Sequence, residues 1–206
     1  MKKPVGGTGD PLATARQVLA LESKAIGDLI ARLDSSFLAA VETMQACRGR
    51  VVVTGLGKSG LIGKKIAATL ASTGTPSLFM HPAEAVHGDL GMIVEGDVVL
   101  ALSNSGETAE LLQLLERIKR LGVRLISMTG SATSTLASQS DIHLNIGVAQ
   151  EACPMDLVPT ASTTASLALG DALAITLAEL KGFREEDFAQ LHPAGRLGRK
   201  VLTVGD

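Results

Sequence analysis

Five short runs of apolar, largely β-branched residues, each tied to a stretch with helical apolar spacing, constrain this chain more than any other feature. They are Arg50–Thr54, Pro76–Met80, Asp97–Leu102, Val123–Met128 and Asp141–Ile146. Unbroken apolar runs of about four to eight residues predict strands covered on both faces. Their alternation with helical patterns predicts an α/β fold: a doubly wound, five-stranded, mainly parallel sheet flanked by helices. Composition agrees. Trp and Tyr are absent and only 4 of 206 residues are Phe, while 46% are hydrophobic, so the core must be aliphatic. That suits a parallel sheet under helices better than an all-β sandwich.

Ahead of the first strand, residues 1–9 form a Gly/Lys/Pro stretch without periodicity, read as an unstructured tail. From Asp10-Pro11, a cap followed by proline at the first helical position, a helical pattern runs to about Cys47, with a break near Asp34-Ser35-Ser36. This segment, 10–48, has either its own domain or a second subunit to pack against. A net charge of -2 and a pI near 6.1, without any aromatic-basic stretch, give no reason to expect a nucleic-acid partner. The longest charge-free apolar run, Leu157–Gly170, is broken by proline, serine and threonine and is too short for a bilayer, so no membrane partner is expected. Cys47 and Cys153 form no CxxC pair and read as reduced thiols of a cytoplasmic protein.

Candidate chemistry begins where the Asp97–Leu102 strand turns into a helix through Ser103-Asn-Ser-Gly-Glu-Thr108. A strand-to-helix turn exposes unpaired amides at the positive end of a helix dipole, and Ser103, Ser105 and Thr108 add hydroxyl donors. Helix capping alone accounts for one such hydroxyl; three around Gly106 fit a phosphate. After the first strand, Gly55, Gly57 and Gly60 satisfy GxGxxG. The next strand ends in His81-Pro82 where a dinucleotide site needs an acidic residue, so NAD is rejected. Gly57-Lys58-Ser59 lacks the leading glycine of a Walker loop, so a nucleoside triphosphate is rejected as well. What remains is a tight turn that offers Lys58 and Ser59 to an anion.

The connection Met80–Gly91 carries His81, His87 and two carboxylates beyond a strand, where α/β sheets place ligands. Neither HExxH nor a Cys/His ladder is present, so no required metal is expected. His143, inside a strand pattern, reads as structural. Glu151 lies in the loop Gly147–Asp156 that leads to Pro159-Thr-Ala-Ser-Thr-Thr164 and a small-residue helix to about Leu180. Phe183–Gln190 reads as a short acidic turn or helix, and Leu191–Gly198 as a compact Gly/Pro segment.

With these stretches in order, the sequence resembles the sugar isomerase (SIS) family, and within it the arabinose 5-phosphate isomerases. The matching residues are Val53–Gly60, Ala71–Pro76, His81-Pro82 with Ala85–Gly91, Ser103–Thr108, Glu151–Pro154, Pro159–Thr164 and Leu191–Pro193. The resemblance implies an isomerase domain over 49–200 that interconverts D-ribulose 5-phosphate and D-arabinose 5-phosphate, an early step toward the Kdo sugar of lipopolysaccharide. It implies a catalytic set of Lys58, Glu110, Glu151 and His192. It implies substrate contacts at Ser59, Gly74, Thr75, His81, His87, Ser103, Asn104, Ser105 and Thr108. No cofactor is implied, and zinc enters only as an inhibitor at His81. The implied assembly is a homotetramer in which His192 reaches a neighbouring subunit's site. Family members continue into a pair of CBS modules, and residues 201–206 read as the start of that linker.

An aldose–ketose isomerase moves a proton between adjacent carbons through a cis-enediol, which needs a base over that edge and an anchor for the remote phosphate. On this reading Glu151, its pKa tuned upward toward neutral, is the carbon base. His192 relays oxygen protons or opens the ring; Lys58 stabilises the enediolate; Glu110 orients. Glu151 and His192 could exchange roles. An isomerase of another sugar phosphate, or a regulatory sugar-phosphate module, stays open as an alternative.

Overall fold

The computed structural model describes residues 9–192. The expectations for residues 1–8 and for 193–206 lie outside the described residues.

Helix α1 (Pro11–Ile30) starts as the sequence predicts: Asp10 Oδ1 accepts the Leu12 amide at 2.9 Å and Pro11 takes the first position. The helical pattern breaks where Asp34 competes for the backbone. Its carboxylate accepts the Ser36 amide at 2.8 Å and opens α2 (Ser35–Gln45).

The sheet consists of β1 (Val51–Gly55), β2 (Ser77–Met80), β3 (Val98–Leu102), β4 (Arg124–Thr129) and β5 (Ile142–Asn145) in the order β2-β1-β3-β4-β5. All four strand pairs are parallel, more uniform than the mainly parallel sheet expected. The connecting helices are α3 (Gly57–Ser72), α4 (Pro82–Ala85), α5 (Ala109–Arg120) and α6 (Thr135–Gln139), followed by α7 (Ala161–Leu180) and α8 (Glu185–Leu191). Strand residues alternate between two aliphatic layers. Val51, Val53, Leu100, Ile126 and Leu144 pack with α2, α3 and α7, whereas Val52, Val99, Ala101 and Leu125 pack with α5 and α6. Burial of both sheet faces explains the unbroken apolar runs.

Helix α7 is long and apolar enough, by length and composition, to cross a membrane. Here it is a core helix. Gly170 lies so close to α3 that a Cβ would fall 2.4 Å from the Ile66 side chain. Leu169, Leu173 and Leu177 fill the same core.

Candidate active site

The sheet order reverses between β1 and β3, whose last residues, Gly55 and Leu102, lie side by side. At such a switch point the connections diverge to opposite faces and leave a crevice beyond the carboxyl ends. Both anion-binding turns read from the sequence leave the sheet from these two residues.

The Ser103–Thr108 loop is rigidly built. Ser103 is buried; its Oγ accepts the Gly106 amide at 3.0 Å and lies 2.9 Å from Thr108 Oγ1. Gly106 has φ +69°, and a Cβ there would sit 2.1 Å from Ser134 Oγ, so this position admits only glycine. Three bonds pin the loop from outside. The Gly130 amide donates to Asn104 O at 2.8 Å, the Leu136 amide to Gly106 O at 3.0 Å, and the Thr135 amide to Glu107 Oε1 at 2.7 Å. The Thr135 bonds hold the Glu107 carboxyl below its usual pKa. Ser105 and Asn104 face solvent, and no side chain caps α5. Among the described residues the Ala109 and Glu110 amides of its first turn take no partner and stay open to an anion, whereas the Leu111 amide donates to Thr108 O at 3.0 Å; Glu110 is half-buried.

Helix α3 is also uncapped, with Gly57 at φ +59° and no acidic residue in its first turn. Lys58 stands there instead, exposed, beside the half-buried Ser59. A cation at a helix N-terminus opposes the macrodipole, so helix stability does not account for it.

Glu151 occupies a position the sequence did not reveal: its side chain caps α7. Oε2 accepts the Thr160 amide at 2.8 Å, the Thr160 hydroxyl at 3.0 Å and the Ser162 amide at 3.2 Å. Among the described residues Oε1 takes no hydrogen bond. Burial raises the Glu151 pKa, but polar contacts from Ser162 and Thr160 outweigh it and bring the carboxyl below its ordinary value. This corrects the expectation of a carboxylate tuned upward: burial acts in that direction, but the donors at the start of α7 act more strongly the other way.

The position of α7 relative to α3 places Glu151 at the carboxyl end of the sheet. Lys65 Nζ bonds Asp171 Oδ2 at 2.7 Å, Ile66 meets Gly170, and Lys181 Nζ donates to Thr75 Oγ1 at 2.7 Å. These pairs keep a nearly constant separation along the chain, which only parallel helices produce. The N-termini of α3 and α7 therefore lie at the same end, so Glu151 sits on the edge that carries Lys58. A cavity of about 400 Å³ lies beside Glu151 and Cys153, with Thr14 and Gln17 of α1 on its far wall.

Other candidates distribute unevenly. His81 follows β2 on this same edge, half-buried, its Nδ1 without a hydrogen-bond partner; His87 is exposed just beyond α4. Among the described residues no group of three or more His, Cys, Asp or Glu is placed to hold a metal. His143, in β5, has its Nε2 2.9 Å from Thr129 Oγ1. Gly74 and Thr75 are not brought to the crevice within one chain. They lie between the end of α3 and the start of β2, at the opposite edge of the sheet, where Thr75 is buried against Lys181. His192 follows α8, which begins a few residues past the end of α7 at that opposite edge. Its ring stacks on Phe188 with centroids 3.9 Å apart, and Nδ1 lies 2.9 Å from Phe188 O. A carbonyl only accepts, so Nδ1 is the donor in this contact.

Sequence reasoning missed Glu107, Thr160, Ser162 and Ser134. Only Thr160, a hydroxyl residue just before an apolar helix, carried a local signal, and there it reads as an ordinary cap.

A parallel doubly wound sheet with the N-termini of α3, α5 and α7 at its carboxyl end, one of them lined by hydroxyls, is an α/β domain with an anion-binding end. Residues 44–176 match the SIS domain, and the chain belongs to that family. Within it, the chain is 59% identical over 193 residues to arabinose 5-phosphate isomerase KdsD of Pseudomonas aeruginosa, covering 94% of this chain and 59% of that protein. The Escherichia coli K12 KdsD is 54% identical over 187 residues, which is 91% of this chain and 57% of that one. The chain thus spans less than two thirds of the length of these curated relatives. An E. coli CFT073 protein solved in complex with arabinose 5-phosphate is 46% identical, with a TM-score of 0.87 over 91% of this chain and 100% of that one.

Proposed function

We propose that this chain is an arabinose 5-phosphate isomerase that interconverts D-ribulose 5-phosphate and D-arabinose 5-phosphate through a cis-enediol, early in Kdo and lipopolysaccharide synthesis. The observation that carries this reading is the placement of the pinned serine loop, Lys58 and Glu151 on one edge of the sheet. High identity to isomerases of that name supports the choice of substrate.

In this reading the phosphate dianion docks on Ser103, Asn104, Ser105 and Thr108 at the open start of α5, with Ser59 opposite. Hydrogen bonds to a charged group contribute about 1.5–3 kcal/mol each, enough to hold the remote end while the carbon end is oriented. Glu151, ionised and held by Oε2, takes the carbon proton on Oε1 and returns it to the neighbouring carbon. Lys58 offsets charge on the enediolate oxygen, and Glu110 orients it. His81 and His87 contact the sugar. His192 acts through Nε2 on the hydroxyl protons of a neighbouring chain's substrate, and Gly74 and Thr75, near the same edge, reach substrate only across such an interface.

The assembly we propose is a homotetramer. Leu12, Leu19 and Ile26 repeat every seven residues along α1 and stay 64%, 66% and 40% exposed in the single chain, and a stripe of that kind on a helix calls for a partner surface. The protein is cytoplasmic in this reading. Its partner is a small sugar phosphate, and neither nucleic acid, membrane nor cofactor takes part. Zinc acts at His81 only as an inhibitor.

The test is arabinose 5-phosphate incubated with the protein in D2O and followed by NMR. Ketose appearing with deuterium at the exchanging carbon is the expected result. Tight binding without conversion would favour a regulatory sugar-phosphate module, and absence of binding would discard this substrate.

A further inference from the structure

At the first turn of α7 the donors that hold Glu151 are all committed except one nearby group. The amides of Thr160 and Ser162 can only donate. The Thr160 hydroxyl donates to Glu151 Oε2 at 3.0 Å and accepts the Ala152 amide at 2.8 Å, so its hydrogen and one of its two lone pairs are taken and its orientation is fixed. The Ser162 hydroxyl differs. Ser162 is 1% exposed, and among the described residues its Oγ makes no hydrogen bond of full geometry, yet it lies close enough to the Glu151 carboxylate to help hold that pKa down. Buried hydroxyls without partners are uncommon. Ser166, one turn along the same helix, shows the usual arrangement: its Oγ bonds Ser162 O at 2.7 Å.

A carboxylate that receives a proton changes from an acceptor into a donor. Amides pointed at it cannot follow that change, whereas an uncommitted hydroxyl can rotate. We propose that Ser162 is a positioning residue for the proton carried by Glu151: its hydroxyl donates to the carboxylate before transfer and accepts from the carboxylic acid afterwards. The proton leaves one substrate carbon, rides on Glu151 and returns to the adjacent carbon. The Ser162 proton stays on Ser162 throughout. This inference rests on the isomerase reading, in which Glu151 is the carbon base.

The test combines kinetics with a carboxyl-carbon NMR titration of Glu151, assigned by its disappearance in Glu151→Gln. In Ser162→Ala the Glu151 midpoint should rise, because a donor to the ionised form is lost. The acidic limb of kcat/KM should move up with it. A charge-assisted hydrogen bond sets the scale: kcat falls about tenfold while KM stays within about twofold. Ser162→Cys, a weak donor of similar size, should fall between. Ser166→Ala, which removes a buried hydroxyl one turn away, should leave both the titration and the pH profile in place. A Glu151 titration in Ser162→Ala that superimposes on wild type overturns the assignment, as does a Ser166→Ala variant that behaves like Ser162→Ala. Should the wild-type chain turn over no pentose phosphate while the titration still moves, the isomerase reading fails and the Ser162–Glu151 contact stands.

Discussion

In the proposed reaction Glu151 performs two tasks with one carboxylate, and its two oxygens divide them. Oε2 caps α7 and Oε1 is left for chemistry. Glu151→Gln keeps the shape but cannot take a proton, so kcat should fall by about 10²–10⁴-fold with KM nearly unchanged; steady-state kinetics checks this. The pH dependence follows from the lowered pKa. Glu151 is ionised throughout the neutral range, so the acidic limb of kcat/KM should lie below the ordinary glutamate value of about 4.3. The same depression means that ionised Glu151 stabilises the fold above its unfolded-state pKa, and that contribution is lost as pH falls through the folded value. Urea unfolding of wild type and Glu151→Gln should therefore differ most near pH 7 and converge in acid. The sequence marked Glu151 as a candidate but could not show this duality, because the helix it caps begins ten residues later and no local spacing rule connects them.

Elements were more legible than the contacts between them. Apolar runs located all five strands because a parallel sheet covered on both faces tolerates few polar residues, and Asp34 announced the break between α1 and α2 through ordinary capping chemistry. The turn after β3 was legible for a related reason, since hydroxyls clustered around a glycine at a strand end have few other uses. Its pinning by Glu107 and α6 was not, because those bonds join segments 28 residues apart. The element predicts its own test. Ser103→Ala removes the oxygen that accepts the Gly106 amide and meets Thr108, so the loop loses its internal brace. Loss of one such bond to a phosphate, about 1.5–3 kcal/mol, should weaken inhibition by inorganic phosphate roughly 10- to 100-fold. KM for the sugar phosphate should rise with it and kcat should change less, the mirror image of Glu151→Gln.

At the scale of the whole molecule the candidate residues separate into two groups, and that separation was invisible in a linear sequence. Lys58, Glu151 and the serine loop share one edge of the sheet, whereas Gly74 and Thr75 lie at the other and α8, which carries His192, starts from it. Nothing among the described residues bonds His192 to Glu151; its ring is engaged by Phe188 of its own helix. If both act on one substrate, the site draws on two chains, and the exposed apolar stripe of α1 gives those chains a reason to associate. Complementation decides the matter. Glu151→Gln and His192→Asn chains, each nearly inactive alone, are unfolded together and refolded as mixed assemblies. With shared sites, a chain with intact Glu151 beside a chain with intact His192 rebuilds a complete centre, and random mixing of equal amounts should restore about a quarter of wild-type turnover. With each site inside one chain, every centre in the mixture carries a defect and turnover should stay at the level of the separate variants.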